Sequence, residues 1–237
     1  MPSQITQLNM NGINKDISSY ELPPTVWSDG NNVQFDNDKT KKVLGHEQIF
    51  GTLLGAPYWL LYHDTIASDY WLYPTLTKIN KVNKAGSTST HTDVTRTSGG
   101  DYSATAQGGW NGGILGGVAI LNNGSDVPQM LGESPTYCQD LSNWTVGHTA
   151  KVIRPFKRFL VALDKTESGT RYPFRVHWSH PAEGGTVPVT WDSSDATKDA
   201  GYVDLSQSNG WVKDCLPLKD TNIIYKEDSV WAMDYSG

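Results

Sequence analysis

Helical periodicity is almost absent from this chain. No window of about 11 residues places apolar side chains at i, i+3, i+4 and i+7 without glycine or proline punctuation. What remains is short alternating stretches bounded by turn residues, so the backbone hydrogen bonds of any core must be met between strands. The composition agrees. Gly (23) and Pro (12) are plentiful without a period, and nine Trp with 11 Tyr favour pleated faces on which flat rings pack.

A unit recurs, consisting of an apolar strand, a polar loop, and a second strand rich in aromatic residues. The copies are "YWLLYHDTIASDYWLY" (58–73), "GVAILNNGSDVPQML" (117–131), "FLVALDKTESGTRYPFRVHWS" (159–179) and "NIIYKEDSVWAMDY" (222–235). Their starts lie 59, 42 and 63 residues apart. Propeller blades recur at ~40–50 residues with four strands each. Insertions explain the longer steps, and a sandwich with irregular connections is the competing arrangement. "LTKINKV", "HTDVTRT", "YCQDLSNWTV" and "PVTWDSS" are expected as outer strands, while 98–113 and 192–201 read as loops. No outer strands follow the fourth copy. An incomplete chain, or a neighbour covering an open edge, is therefore expected.

The first 50 residues differ. "GINKDISSYELPPTVWSDGNNVQF" (12–35) is polar, and Pro23 with Pro24 predict an extended arm that cannot enter a helix. Val33 and Phe35 then alternate with polar neighbours, "NDKT" turns, and "KKVLGHEQIF" returns as an antiparallel partner. The expected organisation is an N-terminal arm and β-hairpin over 1–50 and a propeller-like β domain over 51–237, all-β with about four blades visible.

The net charge is -6. A grip on nucleic acid needs a basic face, and the densest basic run, "KTKK" (39–42), follows Asp36 and Asp38 as a solvated turn would. An acidic wall can still surround DNA without holding it. The N-terminus has neither the basic nor the apolar region of a secretory signal, and no apolar run approaches the ~18–20 residues of a membrane span. Synthesis in the cytoplasm is expected, with Cys138 and Cys215 free and buried.

The chemistry-bearing patterns favour structural roles. In "HWSH", Phe174, Val176 and Trp178 alternate, so His177 and His180 point to opposite faces of a strand and do not share a metal. "HTD" (91–93) lacks a nucleophile elbow, and "GGWNGGILGG" lacks the Lys-Ser/Thr of a phosphate loop. Three carboxylate pairs, Asp64 with Asp69, Asp164 with Glu167, and Asp192 with Asp195, sit at hairpin tips and turns where Asp is favoured locally. The tryptophans outside the arm suit inter-blade packing better than sugar stacking, and the one WD dipeptide, at Trp191–Asp192, has no Gly-His partner. No enzyme, cofactor or metal is expected.

From Gly12 to Gly45 the chain resembles the N-terminal segment of tail nozzle or tail hub proteins of short-tailed bacteriophages. The residues carrying the resemblance are Gly12, Lys15 and Asp16, then Pro23 and Pro24. Trp27, Asp29, Gly30, Asn32, Val33 and Phe35 follow, with Gly45 in the return strand. "TKINKVN…HTDVTR" (77–96) is similar to that family's first blade, and 220–237 to a later one. The chain is shorter than the family's usual members. The resemblance implies an assembly motif in a virion tail protein. It also implies a ring, usually of six copies, below a portal–adaptor and beside tail fibres or spikes, with DNA leaving through the axial channel. A carbohydrate-binding tail propeller is the alternative, and a propeller glycosidase a further one.

Overall fold

The computed structural model describes residues 12–36, 39–43, 45, 47–65, 69–85, 87–107, 109–133 and 135–235. Among them there are 17 β-strands and no α-helix, so the protein is all-β. The chain divides into two compact units, Met1–Ile49 and Phe50–Gly237. The first holds an antiparallel hairpin of β1 (Val33–Asp36) and β2 (Lys39–Lys42), in which Val33 faces Lys42 and Phe35 faces Thr40. Asn37 and Asp38, the first half of the expected turn, lie outside the described residues, as does His46.

The second unit is a succession of antiparallel meanders, each strand pairing with the next in sequence. The first sheet is β3 (Leu61–His63), β4 (Tyr70–Pro74), β5 (Ile79–Ala85) and β6 (Thr88–Asp93). The second is β7 (Asn111–Leu115), β8 (Val118–Asn122), β9 (Gln129–Leu131) and β10 (Gln139–Asp140). The third is β11 (His148–Phe156), β12 (Phe159–Glu167), β13 (Thr170–Trp178) and β14 (Gly201–Asp204). The fourth has β15 (Val212–Leu218), β16 (Thr221–Lys226) and β17 (Val230–Asp234), with β17 at its edge. Four-stranded meanders following one another are the blade pattern of a propeller-like fold.

The core lies between successive sheets. Because side chains alternate along a strand, a strand that is apolar at every position can serve two interfaces. On β8, Ala119 and Leu121 pack with Leu72, Ile79 and Tyr70 of the first sheet, while Val118 and Ile120 pack with Ile153 and Leu160 of the third. On β12, Leu160 and Ala162 face the second sheet, and Val161 and Leu163 face Cys215 and Ile224 of the fourth. Each buried aliphatic side chain contributes ~1.5–3 kcal/mol.

The leading strands are tied by polar side chains. Asn111 on β7 donates from Nδ2 to the Lys151 carbonyl (2.9 Å) and accepts the Ile153 N–H (2.9 Å). Arg154 on β11 donates to the Gly112 carbonyl (3.2 Å) and, in two parallel bonds, to Asp214 on β15 (2.9 and 2.8 Å). Close approach is required here. A Cβ on Gly112, at φ 143°, would lie 1.9 Å from the Ile120 carbonyl oxygen.

Four expectations need correction. The basic run 39–42, expected as a solvated turn, is strand β2, so the return of the hairpin starts at Lys39. The recurring unit was phased one strand early in its first copy: 58–73 contains β3 and β4, whereas the later copies contain the second and third strands of their sheets. The equivalent second strands begin at Tyr70, Val118, Phe159 and Thr221. "PVTWDSS" holds no strand, and the outer strand of the third sheet is β14. The glycine-rich loop ends in β7, whose glycines disguise a strand that needs them for backbone contact. No helix among the described residues is long and apolar enough to cross a membrane.

Candidate assembly site

The motif residues of the first unit bond to one another. Ile13 and Trp27 form a parallel bridge, with the Trp27 N–H donating to the Gly12 carbonyl (3.0 Å) and the Asn14 N–H to the Trp27 carbonyl (2.9 Å). Gly12 takes φ 90°, a conformation that glycine reaches without steric cost. Residues 12–27 are therefore a loop pinned at both ends. Within it, the Glu21 N–H donates to the Ser18 carbonyl (2.9 Å) and the Val26 N–H to the Pro23 carbonyl (3.0 Å). Pro23 and Pro24 thus lead into a turn rather than hold the chain straight, because the fixed φ of Pro24 suits the second position of such a turn.

The loop is braced on the hairpin. Lys15 Nζ lies 2.8 Å from Asp29 Oδ1. The Lys15 hydrogen bond, and then the Gly30 N–H, hold the Asp29 carboxyl below the usual carboxylate range. Both side chains are exposed, so solvent screens the pair. A Cβ on Gly30 would sit 2.8 Å from Val33 and 3.0 Å from Ile13, so only glycine lets those two side chains close over it. Asn32 adopts φ 54° and its carbonyl accepts the Val43 N–H (2.7 Å), extending the ladder of β1 and β2. The Trp27 and Phe35 rings meet edge to face at 6.4 Å.

Gly12, Lys15, Trp27, Asp29, Gly30, Asn32, Val33 and Phe35 are thereby gathered into one unit. Asp16 lies on the loop, its N–H capped by Asn14 Oδ1 (2.9 Å). Gly45 lies beyond the hairpin with open space where a Cβ would stand.

The rival chemistries meet a different geometry. His177 Nε2 donates to the Trp191 carbonyl (2.9 Å), which leaves Nδ1 to accept from Lys165 Nζ (2.8 Å). His180 instead accepts the Asp199 N–H (3.1 Å), so the two histidines do not converge. Among the described residues no group of His, Cys, Asp or Glu could hold a metal ion. His91 donates to the Phe50 carbonyl (2.6 Å) and accepts from the Tyr73 hydroxyl (2.7 Å), which leaves no nitrogen for a triad.

Two of the carboxylate pairs are committed locally. Asp164 is clamped by Arg171 (2.7 and 2.5 Å), and Glu167 meets Lys165 (3.2 Å) and Arg175 (3.1 Å). Asp192 and Asp195 close turns through Ser194 and Thr197. Asp64 and Asp69 do come together. A hydrogen bond and the like charge of Asp69 raise the Asp64 carboxyl above its usual range. Carboxyls in direct contact are closer than the ~5–5.5 Å of retaining or ~6.5–9.5 Å of inverting glycosidases. Asp64 lines a groove of about 970 Å³ with Gly117, Val118, Met130 and Glu133.

Of the candidate sugar platforms, Trp110, Trp144 and Trp191 are buried in the core. Trp211 is exposed, but the Arg171 guanidinium lies 4.2 Å from its ring centre.

An ionic network in the third sheet lay outside the expected sites. Arg175 binds Asp204 through two bonds (both 2.9 Å) and stacks between Tyr172 and Tyr202, at 3.8 and 4.0 Å. Lys165, 2% exposed, joins it through Glu167. The available signal was a lysine following an otherwise apolar strand, "FLVALDK".

No family model matches the chain, and no curated protein matches it. The reading of function therefore rests on these residues and their geometry.

Proposed function

We propose that this chain is a structural component of a bacteriophage tail, part of a nozzle or hub ring below a portal–adaptor complex that forms the DNA exit path. The observation that carries the reading is the closed geometry of residues 12–36 and 39–43. Five of the residues bearing the resemblance contact one another directly, Lys15 with Asp29, Gly12 with Trp27 and Trp27 with Phe35, within one compact unit. The meanders of the Phe50–Gly237 unit supply a body with its own core. The net charge of -6 suits a wall past which DNA slides without specific binding. Assembly in the virion, with copies of itself, the adaptor and fibre or spike proteins as partners, follows from this reading. The work is mechanical and needs no cofactor.

The test is reconstitution. Purified chain mixed with portal–adaptor complexes should co-sediment with them and appear in projection images as added density below the adaptor. A chain that stays monomeric and never associates with these complexes would sink the reading. A carbohydrate-binding tail propeller is the second reading, favoured by Trp211, which is 43% exposed although Arg171 stacks on its ring. A glycan array separates the two, since sugar binding lost in Trp211→Ala would support the second and argue against the first.

A further inference from the structure

Four asparagines in the chain precede a glycine: Asn11, Asn111, Asn123 and Asn209. Such a pair has a chemistry of its own. The glycine amide nitrogen, unshielded by a Cβ, can attack the asparagine Cγ and close a five-membered succinimide, which makes asparagine a thermolabile residue. The fold decides where this happens, because the attack needs a free side-chain amide next to a free glycine N–H. Asn11 lies outside the described residues.

Two of the pairs are locked. Asn111 is 7% exposed, donates to the Lys151 carbonyl (2.9 Å) and accepts the Ile153 N–H (2.9 Å). Asn123 is 4% exposed, accepts the Ser125 and Asp126 N–H groups (3.0 and 2.9 Å) and donates to the Asp126 carboxylate (2.7 Å). Neither amide can turn towards the next nitrogen without breaking buried hydrogen bonds.

Asn209 and Gly210 lie in the connection between β14 and β15, and they are arranged differently. Asn209 is exposed. Among the described residues, neither its side-chain amide nor the Gly210 N–H has a hydrogen-bond partner. The residues on either side are fastened. The Ser208 carbonyl and hydroxyl accept from Lys226 Nζ (2.6 and 2.8 Å). The Trp211 N–H donates to Glu227 Oε2 (2.9 Å), and the Glu227 N–H to the Trp211 carbonyl (3.1 Å). Gly210 takes φ 79°, and a Cβ on it would lie 2.7 Å from the Glu227 Cβ. Packing thus demands glycine here, and glycine leaves the amide nitrogen open to react.

We propose that Asn209 is a site of spontaneous modification, which converts to isoaspartate as the folded protein ages. Gly210 N gives its proton to solvent base and bonds to Asn209 Cγ, and Asn209 Nδ2 leaves as ammonia. Water then adds to one of the two ring carbonyls. Opening the bond to Cγ gives aspartate. Opening the bond to the main-chain carbonyl carbon gives isoaspartate, with the backbone routed through Cβ and Cγ and one atom longer. Either product places a carboxylate beside Gly210, where Asp228 Oδ2 already lies 3.1 Å from the Cβ position. The longer backbone and the like charge both work against the Trp211–Glu227 pairing at the entry to β15. The chemistry is the same whatever the chain assembles with.

Ageing the native chain at mildly alkaline pH tests this, with peptide mapping by mass spectrometry. Asn209 should exchange amide for acid, mostly as isoaspartate scored by a protein isoaspartyl methyltransferase, while Asn111 and Asn123 keep their amides. In denaturant all three should convert at similar rates. Asn209→Gln, whose amide would have to close a six-membered ring, should gain no acidic species on native ion exchange. Aged wild-type chain should exchange the Trp211 and Glu227 amide hydrogens faster than Asn209→Gln aged alike. The proposal is overturned if Asn209 keeps its amide in the native chain while converting in denaturant, if Asn111 or Asn123 converts as fast as Asn209 in the native chain, or if the product is aspartate alone. Unchanged exchange at Trp211 and Glu227 in the converted chain would overturn the structural consequence.

Discussion

His177 shows how one buried ring can set a pH limit on a fold. Burial, and then the neighbouring Lys165 charge, push its imidazole down to about 4. An exposed histidine titrates near ~6.5, so the unfolded chain takes up the proton first as pH falls. The associated stability is complete above ~6.5 and is lost as pH drops through 4, amounting to on the order of 3 kcal/mol. Glu167 acts in the same direction. Burial opposes ionisation of its carboxyl, but Lys165 and Arg175 outweigh that and hold it below its usual range. Thermal melts at stepped pH should show the midpoint falling across this window, with a shallower slope in His177→Gln.

The two thiols are a second case at this scale. Burial pushes Cys138 up to about 12 and Cys215 up to about 11. Neither should react with a thiol reagent in the native protein at neutral pH, and both should react on unfolding. Fast labelling under native conditions would contradict the burial. Gly112 is the third. Gly112→Ala drives a methyl group into the Ile120 carbonyl and should cost more than ~4 kcal/mol, read as a collapse of the denaturation midpoint.

Among the elements, the pinned loop and hairpin form a separate compact unit. Gly30→Val should push Ile13 and Val33 apart and weaken binding to portal–adaptor complexes, while the main thermal transition of the Phe50–Gly237 unit stays in place. A loss of both together would show that the two units do not melt independently. Within the larger unit, β12 is buried on both faces and β17 is an edge strand. Hydrogen exchange should therefore be slowest in β12 and fastest in β17. Leu163→Ala, at a fully buried position of β12, should cost ~2–5 kcal/mol.

For the whole molecule, strand content was legible because two-residue alternation and turn chemistry are local properties. The central strands β8 and β12 stood out as apolar runs, and these proved to be the positions shared between neighbouring sheets. The leading strands did not stand out. β7 is hidden by glycines, and β11 and β15 carry Arg154 and Asp214, whose polarity makes sense only once each has met the other. The phase of the repeat failed for a related reason: β3 and β4 look like the second and third strands of later sheets, and only pairing partners separate them. In the candidate site, the residues were legible but their mutual bonds were not. Lys15 and Asp29 are charges of opposite sign far apart in sequence, and Pro23 and Pro24 suit an extended arm as well as a turn.

The sequence by itself determined that this protein is built of strands, because it contains no apolar stripe of helical period. It also marked the runs of β8 and β12, because those are apolar at successive positions. Only the tertiary structure decided which sheet each strand joins, which loop closes on the hairpin, and which charges are buried together. Those outcomes depend on contacts between residues distant in sequence, and no local pattern records them.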